Sequence, residues 1–166
     1  MINFAKATTA DAPRLCDVAT LSFDDDARRF FALEAGGPPR YNELQYHVEL
    51  ADSRAYAKPH NYYKILWGHV IVGGIVVFPT DNDTCHLGLM FIAPEYQDRG
   101  LGAQCFTFLD QQYPTTKRWT LSTPSCCTRN HYFYEKHGYV KIGEGEVDPE
   151  GFTDWKYERS RLAVQV

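Results

Sequence analysis

The stretch "LMFIAPEYQDRGLG", residues 89 to 102, runs from an apolar, β-rich segment through Pro94 into two glycines placed two apart. Downstream, Leu101, Cys105, Phe108 and Leu109 have helical spacing and Pro114 marks an end. The stretch therefore reads as a strand handing over to a helix. A helix start leaves amide N–H groups without internal partners and carries partial positive charge, and glycine removes the Cβ that would keep a ligand away. Two readings follow, an anion cradle for a phosphate and a plain tight turn. Competing phosphate templates fail: no G-x-x-x-x-G-K-[ST] occurs, and Cys105 stands where a G-x-G-x-x-G would need its third glycine.

Working outward, "INFAKAT" reads as a first strand, followed by a helix from the "TTADAP" stretch, with Thr9 as N-cap, to about Phe23. Residues 25 to 35 and 41 to 52 read as two further short helices on either side of "GGPPR", Gly36 to Arg40. "NYYKILW" and "VIVGGIVVF" form a hairpin through Gly68 and His69, and "CHLGLMFI" is a third strand of that group. After the opening stretch come the strand "KRWTLST", the helix "TRNHYFYEKH" stopped by Gly138, and a final strand pair in "YVKIGEGEV" and "FTDWKYERSRLAV". This order predicts an α/β (α+β) fold around one sheet.

With 166 residues, 44% of them apolar, the chain can bury one good core, and no shift in composition marks a second domain. One domain over residues 1–166 is the expectation. A net charge of −4 argues against general nucleic-acid binding. The absence of a run of roughly 18 apolar residues, and of a basic-then-apolar leader in "MINFAKATTADAP", argues against a membrane span or export and for the cytoplasm. Five cysteines, an odd number with Cys126 and Cys127 adjacent, suit reduced thiols better than a disulfide framework or a zinc site.

Gln97, Asp98, Arg99, Gly100, Leu101 and Gly102 resemble the Q/R-x-x-G-x-G/A signature of the GNAT acyltransferases, and "NHYFYEKHGYVKIGE", residues 130 to 144, is similar to that family's second signature. The two occur in the family's order and at its separation. The resemblance implies a single GNAT-like domain with a mixed, mostly antiparallel sheet of six to seven strands flanked by about four helices. It implies acetyl-coenzyme A as co-substrate and no metal. By the same resemblance, Met90, Phe91 and Ile92 hold the pantetheine arm, and Gln97 to Gly102 with Ala103 bind the pyrophosphate. Tyr134 is then the general acid and Asn130, one turn before it, a cofactor contact, although the family's usual cofactor-contacting Asn falls on Cys127.

The chemistry is sensible for these residues. A phenol, with a pKa of about 10, can donate to a departing thiolate whose thiol has a pKa of about 8.5. Tyr134 also reads as a core aromatic beside Tyr132, Phe133 and Tyr139, and Asn130 as a polar residue of the first helical turn. "WTLST" offers no glutamate as amine base, and His86 reads as a hydrogen-bonded structural histidine. Asp24, Asp25, Asp26, Glu34, Glu43 and Glu49 read either as a solvated helix face or as an acidic mouth for a cationic amine. The expected activity is direct acetyl transfer to a primary amine of a small molecule or peptide, with a non-catalytic acyl-coenzyme A sensor as the alternative. Exposed final strands suggest a homodimer.

Overall fold

A computed structural model describes residues 1–81, 83–149 and 151–161. Among these residues, seven strands form one sheet in the order β1-β2-β3-β4-β5-β7-β6. The strands are β1 (Ile2–Lys6), β2 (Asn61–Trp67), β3 (Val70–Pro79), β4 (Thr84–Ile92), β5 (Arg118–Pro124), β6 (Val140–Glu144) and β7 (Asp154–Ser160). All neighbours pair antiparallel except β4 and β5. The expected sheet, hairpin and element order are thus present.

Helices α1 (Ala12–Phe30) and α2 (Leu44–Ala51) cover one face, where Leu15, Val18 and Leu50 pack with Tyr62, Val76, Leu89 and Phe91. The other face carries α3 (Leu101–Gln112) and α4 (Thr128–Lys136), whose Cys105, Phe106, Leu109 and Tyr134 meet Ile75, Leu87, Trp119 and Tyr157. Both faces bury large apolar side chains, so the central strands read as nearly continuous apolar runs.

The expected break near Phe23 is absent. No Gly or Pro interrupts residues 14 to 35, and Asp25 pairs with Arg28 and Arg29 along the helix surface, so α1 continues to Phe30. It ends where Ala32 takes a φ of 54°, and residues 32–43 form turns where parts of two helices were expected. The expected N-cap also moves. Thr8, not Thr9, opens a short 3-10 turn (Thr9–Asp11), with its amide donating to Asp11 Oδ2 at 2.8 Å, and Asp11 occupies the N-cap position of α1 without a side-chain bond to the helix.

One irregularity positions the site. Val76 pairs with Leu89 while Val77 pairs with Leu87, leaving Gly88 as an extra residue in β4. An extra residue reverses the alternation of faces. Cys85 and Leu87 therefore face the α3/α4 core, whereas Leu89 and Phe91 face α1 and α2, and Met90 and Ile92 join the α3/α4 side.

Candidate active site

β4 and β5 pair in parallel only over Thr84↔Arg118, Cys85↔Trp119 and His86↔Thr120. Beyond His86 the strands part, because β4 is held by β3 to Ile92 while β5 follows β7 to Pro124. The gap opens into a cavity of about 630 Å3 lined by Met90, Ser122, Thr123, Cys127, Asn130 and Tyr134, among others. Of the three strand residues expected at the pantetheine arm, Met90 lines this cavity. Phe91 turns its ring away into the α1/α2 core, and Ile92 packs towards α3 and α4, so their contribution to the gap is backbone.

At the end of β4 a 3-10 turn (Pro94–Tyr96) leads to Gln97 and a loop in which Asp98 and Gly100 have φ values of 60° and 76°. Among the described residues, the amides of Asp98 through Ala103 have no protein acceptor, and the first helical bond is Gln104 N to Gly100 O at 3.3 Å. Asp98, Arg99 and Gly100 are exposed. The Arg99 guanidinium folds back over Trp67 and Tyr96 and donates to the Glu95 carbonyl, leaving the loop backbone uncovered. A run of unpaired amides at a helix start suits an anion such as a diphosphate.

The two glycines of this loop serve different ends. A Cβ on Gly100 would meet nothing within 4 Å, so its requirement is the left-handed φ and open approach. A Cβ on Gly102 would lie 2.5 Å from Phe133 Cζ, so this glycine lets the α4 aromatic press against the first turn of α3. Leu101 is buried core, and Ala103 is partly exposed in the first helical turn.

Tyr134 lies in the cavity wall, and burial pushes its phenol well above the usual range, aided by neighbouring Tyr139, Cys127 and Asp26 and opposed by Arg129. It therefore stays protonated at any working pH. Asn130 also lines the cavity, and its amide donates to Thr123 Oγ1 at 3.2 Å, so it ties α4 to β5.

Gln97 is a brace as well as a loop residue. Its Nε2 donates to the Ile92 carbonyl at 2.9 Å, and its Oε1 accepts from Arg129 Nη1 at 2.9 Å. Arg129 in turn donates through Nη2 to Asp26 Oδ1 at 2.8 Å. This chain links the end of β4, the loop, α4 and α1.

A family model described as an acetyltransferase (GNAT) domain matches residues 58–141, about half of the sequence. The chain belongs to the GNAT acetyltransferase family. A crystal structure of an acetyltransferase from Thermus thermophilus superimposes with a TM-score of 0.75 at 21% identity, over 97% of each chain. The PaiA N-acetyltransferase from Thermoplasma acidophilum, crystallised in complex with coenzyme A, gives 0.73 at 16% identity over 97% of this chain and 99% of that one. These show a shared fold. The uncharacterized protein YrkN of Bacillus subtilis (strain 168) is 38% identical over 74 residues, so the match spans 43% of this chain and 40% of that relative.

In this GNAT chain the acidic-mouth alternative for Asp24 to Glu49 is weakened, because Asp25, Asp26, Glu43 and Glu49 each pair with an arginine. Asp24 accepts from the Tyr41 hydroxyl and the Gly36 amide, and Asp25 pairs with Arg28 and Arg29. Glu43 and Glu49 pair with Arg40. Only Asp26 of the six lines the cavity. It is joined there by Asp148 from the β6–β7 connection and Asp154 at the start of β7, two carboxylates that the sequence reading missed because nothing local distinguishes them from other surface aspartates. Phe31 and Phe152, ring centroids 4.7 Å apart, bring that connection against the end of α1.

All five thiols are free, and burial raises the pKa of each, to about 12 for Cys105 and Cys127. None is prepared as a thiolate. His86 Nδ1 shares a hydrogen bond of 2.8 Å with Thr120 Oγ1, and burial, with Lys58 nearby, holds the ring below its ordinary pKa. Among the described residues no group of three or more His, Cys, Asp or Glu is arranged to hold a metal ion. Nor is any described helix long and apolar enough to cross a membrane.

Proposed function

We propose that the chain, as one GNAT domain over residues 1–166, transfers an acetyl group from acetyl-coenzyme A to the primary amine of a small molecule or peptide, directly, in a ternary complex. The parting of β4 from β5 onto a cavity that Tyr134 lines carries this reading. The loop from Gln97 to Ala103, with its unpaired amides and Gly100 open to solvent, fits a pyrophosphate, and the edge of β4 at Met90, Phe91 and Ile92, which β5 leaves unpaired and where Gln97 occupies only the Ile92 carbonyl, fits an extended amide-bearing arm beside Asn130. When bound, acetyl-coenzyme A supplies a thioester carbon open to attack and a sulfur leaving group. Tyr134 stays protonated and can donate a hydrogen bond to that sulfur as negative charge develops, while its raised pKa makes it a weaker acid towards the thiolate. The raised thiol pKa values favour direct transfer over an acyl-cysteine.

The test has two parts. Acetyl-coenzyme A at about 100 times its dissociation constant is expected to stabilise the protein by roughly 2.7 kcal/mol in a thermal-shift titration. Thiol release is then measured with 2-phenylethylamine, spermidine, kanamycin and an alanine-terminated peptide, after subtracting the protein's own five cysteines. Stabilisation without thiol release from any acceptor would refute the transferase reading.

A further inference from the structure

We infer that Asp26 is the proton acceptor for the incoming amine, held in orientation by Arg129. The inference rests on the transferase reading above and supplies the base that the β5 segment lacks.

The geometry singles out Asp26. Its side chain retains 14% exposure, one oxygen is fixed on Arg129 Nη2 at 2.8 Å, and among the described residues Oδ2 has no partner. The carboxylate lines the same cavity as Tyr134. One wall thus carries a carboxylate with a free oxygen and another a phenol that keeps its proton.

The alternatives on the cavity wall are less suited. Asp148 Oδ1 accepts the Phe152 amide at 2.8 Å and so closes a turn, and Asp154 is exposed on the hairpin. His86 engages Thr120 at the base of the gap. The charged and titratable surroundings of Asp26 are Arg129 and Cys127 from the α4 region, Asp25 and Arg29 of α1, Tyr134, and the cavity-lining His86, Asp148 and Asp154. Burial raises the Asp26 carboxyl's pKa, Arg129 lowers it, and the net direction is upward, towards greater basicity.

The proton balance closes. An ammonium gives one N–H proton to Asp26 Oδ2, and its lone pair then forms the C–N bond as the C–S bond breaks. Sulfur takes the Tyr134 proton, the second N–H proton returns to the phenolate, and Asp26 releases its proton to water. The products are amide, thiol and one free proton.

Arg129 is a positioning residue. Because its other nitrogen, Nη1, binds Gln97, it couples the orientation of the base to the cradle loop.

The experiment compares the best acceptor of the amine panel with hydroxylamine, which is already neutral near pH 8 and needs no base. Asp26→Asn should lower kcat for the alkylamine about 100-fold or more, with a rate that climbs with pH towards the amine's own pKa. With hydroxylamine it should lose less than about threefold, and the acetyl-coenzyme A thermal shift should persist. Asp26→Glu should keep the wild-type acid limb and recover part of the alkylamine rate. Equal losses with both nucleophiles, or an acid limb that survives in Asp26→Asn and disappears in His86→Gln, would overturn the assignment. An active wild type with an equally active Asp26→Asn removes this inference alone, whereas a wild type inert towards every acceptor removes the transferase reading with it.

Discussion

One wall of the site, formed by β4, which lines the cavity, and by the Gln97–Gly100 loop and the start of α3, which lie outside its lining, presents mainly backbone: unpaired amides, a strand edge and a glycine open to solvent. The facing wall, from α1, residues 31–39 and the β6–β7 connection, presents side chains, among them Phe31, Asp26, Asp148 and Phe152. Backbone recognition demands particular φ values and close approaches, which restrict residue type position by position. Side-chain recognition depends on which charges remain unpaired after folding, and that is set by contacts between segments far apart in sequence.

The largest expected effect falls on the α4 residue of the cavity lining, Tyr134. Tyr134→Phe should reduce kcat by about 10²–10⁴-fold while leaving acetyl-coenzyme A binding unchanged. Because the phenol's pKa is raised, the loss should be similar across the working pH range, with no new alkaline limb. Retention of full activity would assign this side chain to packing alone.

On the backbone wall, Gly102→Val drives atoms into the Phe133 ring and should cost about 1–3 kcal/mol in urea unfolding. It should also abolish the cofactor thermal shift, and adding Phe133→Ala should recover part of both losses, a coupling readable from a double-mutant cycle. Additive effects would mean that the glycine is not there for the ring. Gly100→Ala has room for its methyl but a φ of 76°, so about 1–2 kcal/mol of backbone strain is expected, without rescue from any neighbouring substitution.

The side-chain wall should be the more sensitive to acid. His47, fully buried, shares hydrogen bonds with the Tyr41 carbonyl at 2.7 Å and the Tyr62 hydroxyl at 2.8 Å, tying the loop after α1 to β2. Burial lowers its pKa below 6.5, although the Tyr41 contact opposes this. Below pH 6.5 the unfolded chain therefore takes up a proton that the folded protein refuses, and stability falls as pH drops towards the folded pKa. Hydrogen exchange should report earlier opening around residues 31–47 than in β4 on acidification, and His47→Gln should flatten the difference.

The smallest effect is expected from Glu49→Gln. That carboxylate is bound to Arg40 and does not line the cavity, so the acceptor KM should not move. A changed KM for spermidine would restore the acidic-mouth reading for this segment.

The sequence was most informative where local chemistry acts alone. The Gly68 hairpin, the strand-to-helix passage at residues 89–102 and the Gly138 stop are each punctuated by residues whose backbone preferences are local, and all lie where expected. The segment 24–43 differs from the expected short helices because i,i+3 and i,i+4 pairing lets α1 run on through Asp24 to Phe30, and turns follow. The bulge at Gly88 was invisible for a different reason. "HLGLMF" alternates acceptably in either register, and only pairing with β3 shows that one residue is extra.

By itself, the order of apolar periods and turn residues determined the α/β layout and the loop where amides are free, because those depend on covalent geometry and neighbours within a few positions, and the resemblance of residues 97–102 and 130–144 to two signatures pointed to the family. Only the tertiary structure decided that Gly102 makes room for Phe133, that five of six acidic residues lie outside the cavity, and that Asp26 joins Arg129 and Tyr134. Those outcomes depend on distances between segments from about thirty to about a hundred residues apart, and a linear pattern carries no measure of such distances until the sheet brings the segments together.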